Sequence, residues 1–137
     1  MKKGKFITIY GINNIGKTTQ SKLLVENLEQ AGYDVIYVKY PVYSIEPSGP
    51  FINKILRNSN NQSISEEELQ SWFVLNRYQY QPKLIQFLNE GKIIVAEDYS
   101  GTGIAWGTAK GVNQSWLESI NNNLLKEDLA IMLEGQR

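Results

Sequence analysis

Residues 11–20 read Gly-Ile-Asn-Asn-Ile-Gly-Lys-Thr-Thr-Gln, a Gly-x-x-x-x-Gly-Lys-Thr arrangement that follows an apolar run and precedes an amphipathic one. Where such a loop turns from a strand into a helix, its amide N–H groups point inward and form an anion nest. Gly11 and Gly16 permit the backbone angles and a close approach. The amides of Asn13, Asn14, Ile15, Gly16 and Thr19 line the nest. Lys17 reaches terminal phosphates, and the Thr18 hydroxyl suits Mg²⁺. The following helix presents its positive end to the same group. A glycine-containing turn without a ligand is the plainer alternative, but the full pattern in this context favours the polyphosphate of ATP or GTP. A second loaded stretch is Lys-Ile-Ile-Val-Ala-Glu-Asp, residues 92–98, an apolar run that ends in two acids. An acid at a strand end can stand behind Mg²⁺ in phosphoryl transfer. Glu97 and Asp98 are both candidates. Because successive strand residues face opposite ways, only one of them is expected to face the site.

The elements that must position these residues alternate in type. Residues 5–10 are β-rich. In residues 18–32, Leu24, Leu28 and Ala31 fall at helical spacing before a stop at Gly32. Residues 33–40 form a second β-rich run, and residues 41–50, with three prolines, form a loop. Pro50 suits the first turn of a short helix. Ser65 and Glu68 make a capping box for a long helical pattern, with a kink or break expected near Gln81 because of Pro82. Residues 92–98 read as a strand buried on both faces. Residues 99–113 read as a glycine-rich loop or loop and helix, 114–125 as a helix and 128–135 as a fourth strand. Such alternation implies an α/β fold, a parallel sheet with helices on both faces. Ligands bind at the carboxyl ends of such strands, so residues 11–19 and 97–98 should converge.

The bulk composition excludes other classes. The chain has 137 residues, 14 basic and 14 acidic, so its net charge is zero. A general nucleic-acid binder would need a basic face. There is no cysteine and no histidine, which removes disulfides, thiolate metal sites and histidine-ligated zinc. No apolar run approaches the roughly 20 residues of a membrane span, and residues 1–10 read as a first strand and not as a signal peptide. A soluble, cytoplasmic, single-domain protein is the expectation, with no nucleic acid and no membrane among its partners.

Four separated stretches together resemble the thymidylate kinase family. Phe-Ile-Thr-Ile-Tyr-Gly-Ile-Asn-Asn-Ile-Gly-Lys-Thr-Thr-Gln-Ser-Lys-Leu-Leu, residues 6–24, resembles that family's first strand, phosphate loop and helix. Phe-Val-Leu-Asn-Arg-Tyr-Gln-Tyr-Gln-Pro, residues 73–82, resembles its nucleotide-binding helix, and residues 97–110 resemble its Asp-Arg-Tyr loop. Residues 39–44 resemble its Phe-Pro-x-Arg segment. The resemblance implies a P-loop NTPase-type kinase core over residues 1–137, with ATP and Mg²⁺ as cofactors and dTMP as acceptor. It implies stacking of Phe73 on thymine and hydrogen bonding from Arg77. It also implies acceptor contacts from Asn13, Pro41, Tyr43, Tyr99, Thr102 and Trp106, and a homodimer through helices. Lys17, Glu97 and Asp98 would then be the catalytic positions, with Thr18 and Glu97 at the metal.

Several departures accompany this resemblance. Asn13 replaces a sugar-binding aspartate, and Tyr43 replaces an arginine that grips the acceptor phosphate. Asp98 stands where a second such arginine would be. The resemblance further implies a lid and more strand and helix after Arg137, so the chain reads as C-terminally incomplete. Two other functions remain open at this point: a deoxynucleoside kinase, whose acceptor has no phosphate to grip, and a nucleotide-binding protein without turnover.

Overall fold

A computed structural model of the chain describes residues 3–12, 15–58 and 62–135. Its contacts gather into two compact units. The first comprises Met1–Tyr40, Pro82–Tyr99 and Leu125–Arg137, and the second Pro41–Gln81 and Ser100–Leu124.

The first unit holds four strands: β1 Lys5–Tyr10, β2 Val35–Lys39, β3 Ile93–Glu97 and β4 Leu129–Met132. They form one parallel sheet in the order β2-β3-β1-β4. Helix α1, Lys17–Gln30, connects β1 to β2. Leu24, Val25 and Leu28 of α1 pack on Ile9, Val35 and Val95, since the 3.6-residue period places these three on one stripe. Ala31, expected on that stripe, is instead the exposed C-cap residue. Gly32 takes φ +96°, the left-handed stop anticipated there. The opposite sheet face carries Phe6 and Ile94, both fully buried. There Tyr99 meets the Phe6 ring edge-on, with centroids 5.0 Å apart. At the sheet edge, β4 leaves Leu129 and Met132 exposed.

The register explains the convergence expected from the sequence. Ile9, just before the phosphate loop, pairs with Glu97 of β3, and Glu97 in turn pairs with Lys39 of β2. Three strands therefore end at one level, and the loop begins there.

Helix α3, Glu66–Asn89, runs through Pro82 without a break. Proline removes one intrahelical donor, but the turns on either side retain theirs. The Ser65 cap is present, its Oγ accepting from Glu68 N at 3.1 Å. The boundary between the two units falls between Gln81 and Pro82.

The second unit contains α2 Ser48–Arg57, the first part of α3, α4 Ser100–Ala109 and α5 Gln114–Asn121. Pro50 lies in the first turn of α2. The glycine-rich stretch forms a regular helix, α4. Its glycines serve close packing: a Cβ on Gly107 would lie 2.7 Å from Leu117 Cδ1. Asn113 caps α5 by accepting from Trp116 N at 2.9 Å. Asn76 of α3 is fully buried. Its Oδ1 accepts from Val42 N at 2.7 Å, and its Nδ2 donates to Val42 O at 2.8 Å and to Ser48 Oγ at 3.0 Å. Gln79 donates to Glu46 O at 2.8 Å and accepts from Ser48 N at 3.2 Å. Two amide side chains one turn apart thus fix the proline-rich loop to α3, satisfying backbone groups that the loop cannot pair by itself.

Candidate active site

Gly16 adopts φ +93°, ψ +20°, and α1 starts at the next residue. No atom lies within 4 Å of a Cβ built on it, so backbone conformation and not space selects glycine here. At Gly11 the constraint is steric: a Cβ would lie 3.0 Å from Ile15 Cγ2 and 3.2 Å from Leu133 O. Asn13 and Asn14, expected in the anion nest, lie outside the described residues.

A cleft of about 480 Å³ opens at the start of α1, lined by Gly16, Lys17, Thr18, Thr19, Lys39, Glu97 and Asp98. Every lining residue belongs to the first unit. Thr18 Oγ1 lies 2.7 and 2.9 Å from the two Glu97 carboxylate oxygens. Tyr37 OH donates to Glu97 Oε2, and Lys39 Nζ stands 3.7 Å from Glu97 Oε1. Burial pushes the Glu97 carboxyl upward. The hydrogen bonds from Tyr37 and Thr18, followed by the charges of Lys39 and Lys17, outweigh that effect and hold it below the ordinary carboxyl value. The Tyr37 phenol is raised, first by burial and then by its bond to Glu97 and that group's charge. Glu97 is thus a buried, fixed anion.

Asp98 corrects one sequence expectation. Alternation along β3 would turn it away from Glu97, yet both acids face the cleft. Asp98 takes φ +67°, which takes it out of the strand's alternation. Aspartate is among the few residues that tolerate this region. Its carboxylate accepts from Lys17 Nζ at 3.0 and 3.1 Å, with the side chains only 7% and 15% exposed. Asp98 therefore stands neither as a free acid nor as a substitute for an arginine. It is the counter-ion of the loop lysine.

Tyr99, expected at the acceptor, is a core residue in this structure. It is 1% exposed, and its hydroxyl donates to Leu125 O at 2.7 Å. Of the other acceptor candidates, Asn13 lies outside the described residues, and the rest belong to the second unit. Pro41, Phe73 and Thr102 are half-buried, and Tyr43 and Trp106 are exposed. Arg77 is 5% exposed, and its guanidinium donates to Asn121 Oδ1 at 2.9 Å. A Cβ on Gly103 would lie 2.7 Å from Arg77 Nη2, so the glycine makes room for the guanidinium beside α4.

Sequence reasoning missed Tyr37 and Lys39. Their signal is the period of two along β2, which puts residues 37 and 39 on one face. That face is the one from which Glu97 projects, because Lys39 pairs with Glu97.

The donor set fits a hard divalent cation. A threonine hydroxyl beside a carboxylate held below its ordinary value supplies oxygen ligands of the kind Mg²⁺ takes, with positions left for phosphate oxygens and water. Among the described residues, no group of three acidic, histidine or cysteine side chains could hold a metal unaided, and no helix is long and apolar enough to cross a membrane.

Residues 9–136 match the family model for thymidylate kinase. The chain is 35% identical over 136 residues to a probable thymidylate kinase of Pyrococcus horikoshii, covering 96% of this chain and 65% of that protein. It is 33% identical over 133 residues to a thymidylate kinase of Plasmodium falciparum, covering 96% and 62%. The structure matches that of thymidylate kinase from Candida albicans with a TM-score of 0.82 at 28% identity, covering 96% of this chain and 63% of that one. The chain thus spans about two thirds or less of the length of these relatives. With the phosphate loop, the paired acids and the parallel sheet in the places described, the chain belongs to the thymidylate kinase family.

Proposed function

We propose that the chain carries the donor site of an ATP-dependent nucleoside monophosphate kinase, with dTMP as the acceptor. The observation that carries this reading is the set Lys17, Thr18 and Glu97 at the mouth of the phosphate loop. In this reading the loop amides and Lys17 hold the donor phosphates. Thr18, with Glu97 behind it, holds Mg²⁺, which when bound neutralises charge on the donor's terminal phosphates. An oxygen of the acceptor phosphate attacks the γ-phosphorus, the bond from that phosphorus to the β–γ bridging oxygen breaks, and ADP leaves with the bond's electrons. The work of the protein is positioning and charge neutralisation.

The engagement of Glu97, the acid at the metal position, favours a monophosphate over a nucleoside as acceptor. A sugar hydroxyl must lose a proton to become a good nucleophile, and so calls for a free base. Glu97 is held by the hydroxyls of Tyr37 and Thr18. A phosphate monoester, with a second pKa near 6, presents anionic oxygens at neutral pH and needs no base. Phosphorus NMR of the chain with ATP, Mg²⁺ and either dTMP or thymidine tests this reading. Formation of dTDP with no dTMP from thymidine is expected. Phosphorylation of thymidine, or of neither, contradicts it.

A further inference from the structure

The phosphate loop and Lys39 lie at different places along the sheet edge. β1, which feeds the loop, and β2, which ends in Lys39, are separated by β3. At strand spacing this is a lateral offset of roughly 9–10 Å. With the donor phosphates at the α1 end of the cleft, as the proposed function has them, Lys39 stands at the β2 end.

The cleft is lined by two cations, Lys17 and Lys39. They differ in how far they are committed. Lys17 gives hydrogen bonds to both oxygens of Asp98 and is buried. Lys39 is 57% exposed, and its Nζ stands 3.7 Å from Glu97, beyond ordinary hydrogen-bond distance. Its ammonium carries three donors and a flexible stem. Glu97 meanwhile keeps Thr18 and Tyr37 as hydrogen-bond donors, so it remains satisfied if Lys39 swings toward the cleft. An exposed ammonium, loosely tethered at the mouth of an anion site, is suited to a phosphate monoester.

We propose that Lys39 binds the phosphate of the phosphoryl acceptor. The inference rests on the reading of the cleft as a phosphoryl-transfer site. Lys39 is a positioning residue in it, turning between Glu97 and the incoming anion. It also supplies positive charge at a cleft whose other lysine is neutralised by Asp98.

Titration calorimetry of the 137-residue chain with dTMP, thymidine and ATP·Mg²⁺ tests this, using Lys39→Gln and Lys39→Arg. In Lys39→Gln the Kd for dTMP should rise about tenfold or more, as expected for a lost charge-assisted hydrogen bond. Thymidine and ATP·Mg²⁺ affinities should stay put, and Lys39→Arg should restore most of the dTMP affinity. The slope of dTMP affinity against salt concentration should be shallower in Lys39→Gln. Unchanged dTMP affinity in Lys39→Gln, where the parent chain binds dTMP, overturns the assignment of Lys39 alone. An equal loss for ATP·Mg²⁺ also overturns it, since Lys39 would then serve the donor. A parent chain that binds ATP·Mg²⁺ but not dTMP overturns both this inference and the choice of acceptor.

Discussion

Lys17 Nζ lies 3.0 and 3.1 Å from the two carboxylate oxygens of Asp98, a residue turned into the cleft by a backbone φ of +67°. The pair joins the first turn of α1 to the end of β3, the two elements whose ends define the cleft. A double-mutant cycle over Lys17→Met, Asp98→Asn and the double variant should give a coupling of about 1–3 kcal/mol in unfolding free energy, the range for groups in direct contact. Additivity within error would mean that the pair contributes nothing to the fold.

Asp98→Asn also bears on ligand binding. Asparagine tolerates the left-handed backbone nearly as well as aspartate, so the loop should keep its shape while the counter-ion loses its charge. Two unit charges about 6 Å apart interact by roughly 3 kcal/mol at an effective dielectric near 20 before screening. ATP·Mg²⁺ should therefore bind about tenfold more tightly to the variant after screening is allowed for. Weaker binding would mean that Asp98 orients Lys17 for the phosphates and does not compete with them.

Glu97 and Tyr37 set the acid dependence of stability. The Glu97 carboxyl is held below its ordinary value of 4.5, so its contribution is present above that value and is lost as pH falls through the lower, folded one. The Tyr37 phenol is raised above 10, so the stability linked to its own titration is complete below pH 10 and lost only as pH rises through the higher, folded value. Tyr37→Phe removes the largest of the hydrogen bonds that hold Glu97 down. It should cost about 1.5–3 kcal/mol at neutral pH and flatten the loss of melting temperature below pH 5. A parallel acid profile for both proteins would show that Tyr37 does not tune Glu97.

In the second unit, Asn76→Ala removes the partner of both backbone groups of Val42 at once. Val42 is half-buried, so its unmet groups cost less than fully buried ones would, and a drop of roughly 1–3 kcal/mol in unfolding free energy is expected. Hydrogen exchange at Val42 should accelerate most. A change under about 0.5 kcal/mol would place the loop's anchor elsewhere.

The phosphate loop was legible in the sequence because its function is written in residue types at fixed spacing: Gly16 takes φ +93°, and Lys17 and Thr18 follow it directly. The pairing of strand ends was legible for a similar reason, since apolar runs of strand length alternate with helical patterns. The geometry of Asp98 was not. Alternation is a rule about regular strands, and a single left-handed residue reverses it without any change in composition. Gly103 and Gly107 fell in a stretch that read as a loop or a loop and helix, whereas in α4 they let Arg77 and Leu117 approach. That is a contact across elements, which local spacing does not encode. Tyr99 was assigned to the acceptor by resemblance alone, and its burial against Phe6 follows from tertiary packing.

Phe73→Ala should weaken dTMP binding by roughly 1–3 kcal/mol, the usual cost of a lost base–aromatic stack, and leave ATP·Mg²⁺ binding unchanged. Phe73 is half-buried on α3, one turn from the buried Arg77. Equal losses for both ligands, together with a lower melting temperature, would assign it to the core of the second unit.

Titrating ATP·Mg²⁺ into the parent chain and into Lys17→Met shows whether the cleft beside Lys17 takes the polyphosphate of ATP. Methionine keeps the apolar stem and removes the charge and its donors. Saturable binding to the parent is expected, weakened about tenfold to a hundredfold in the variant, the cost of one charge-assisted hydrogen bond. Equal affinity of the two proteins for ATP·Mg²⁺ would contradict it.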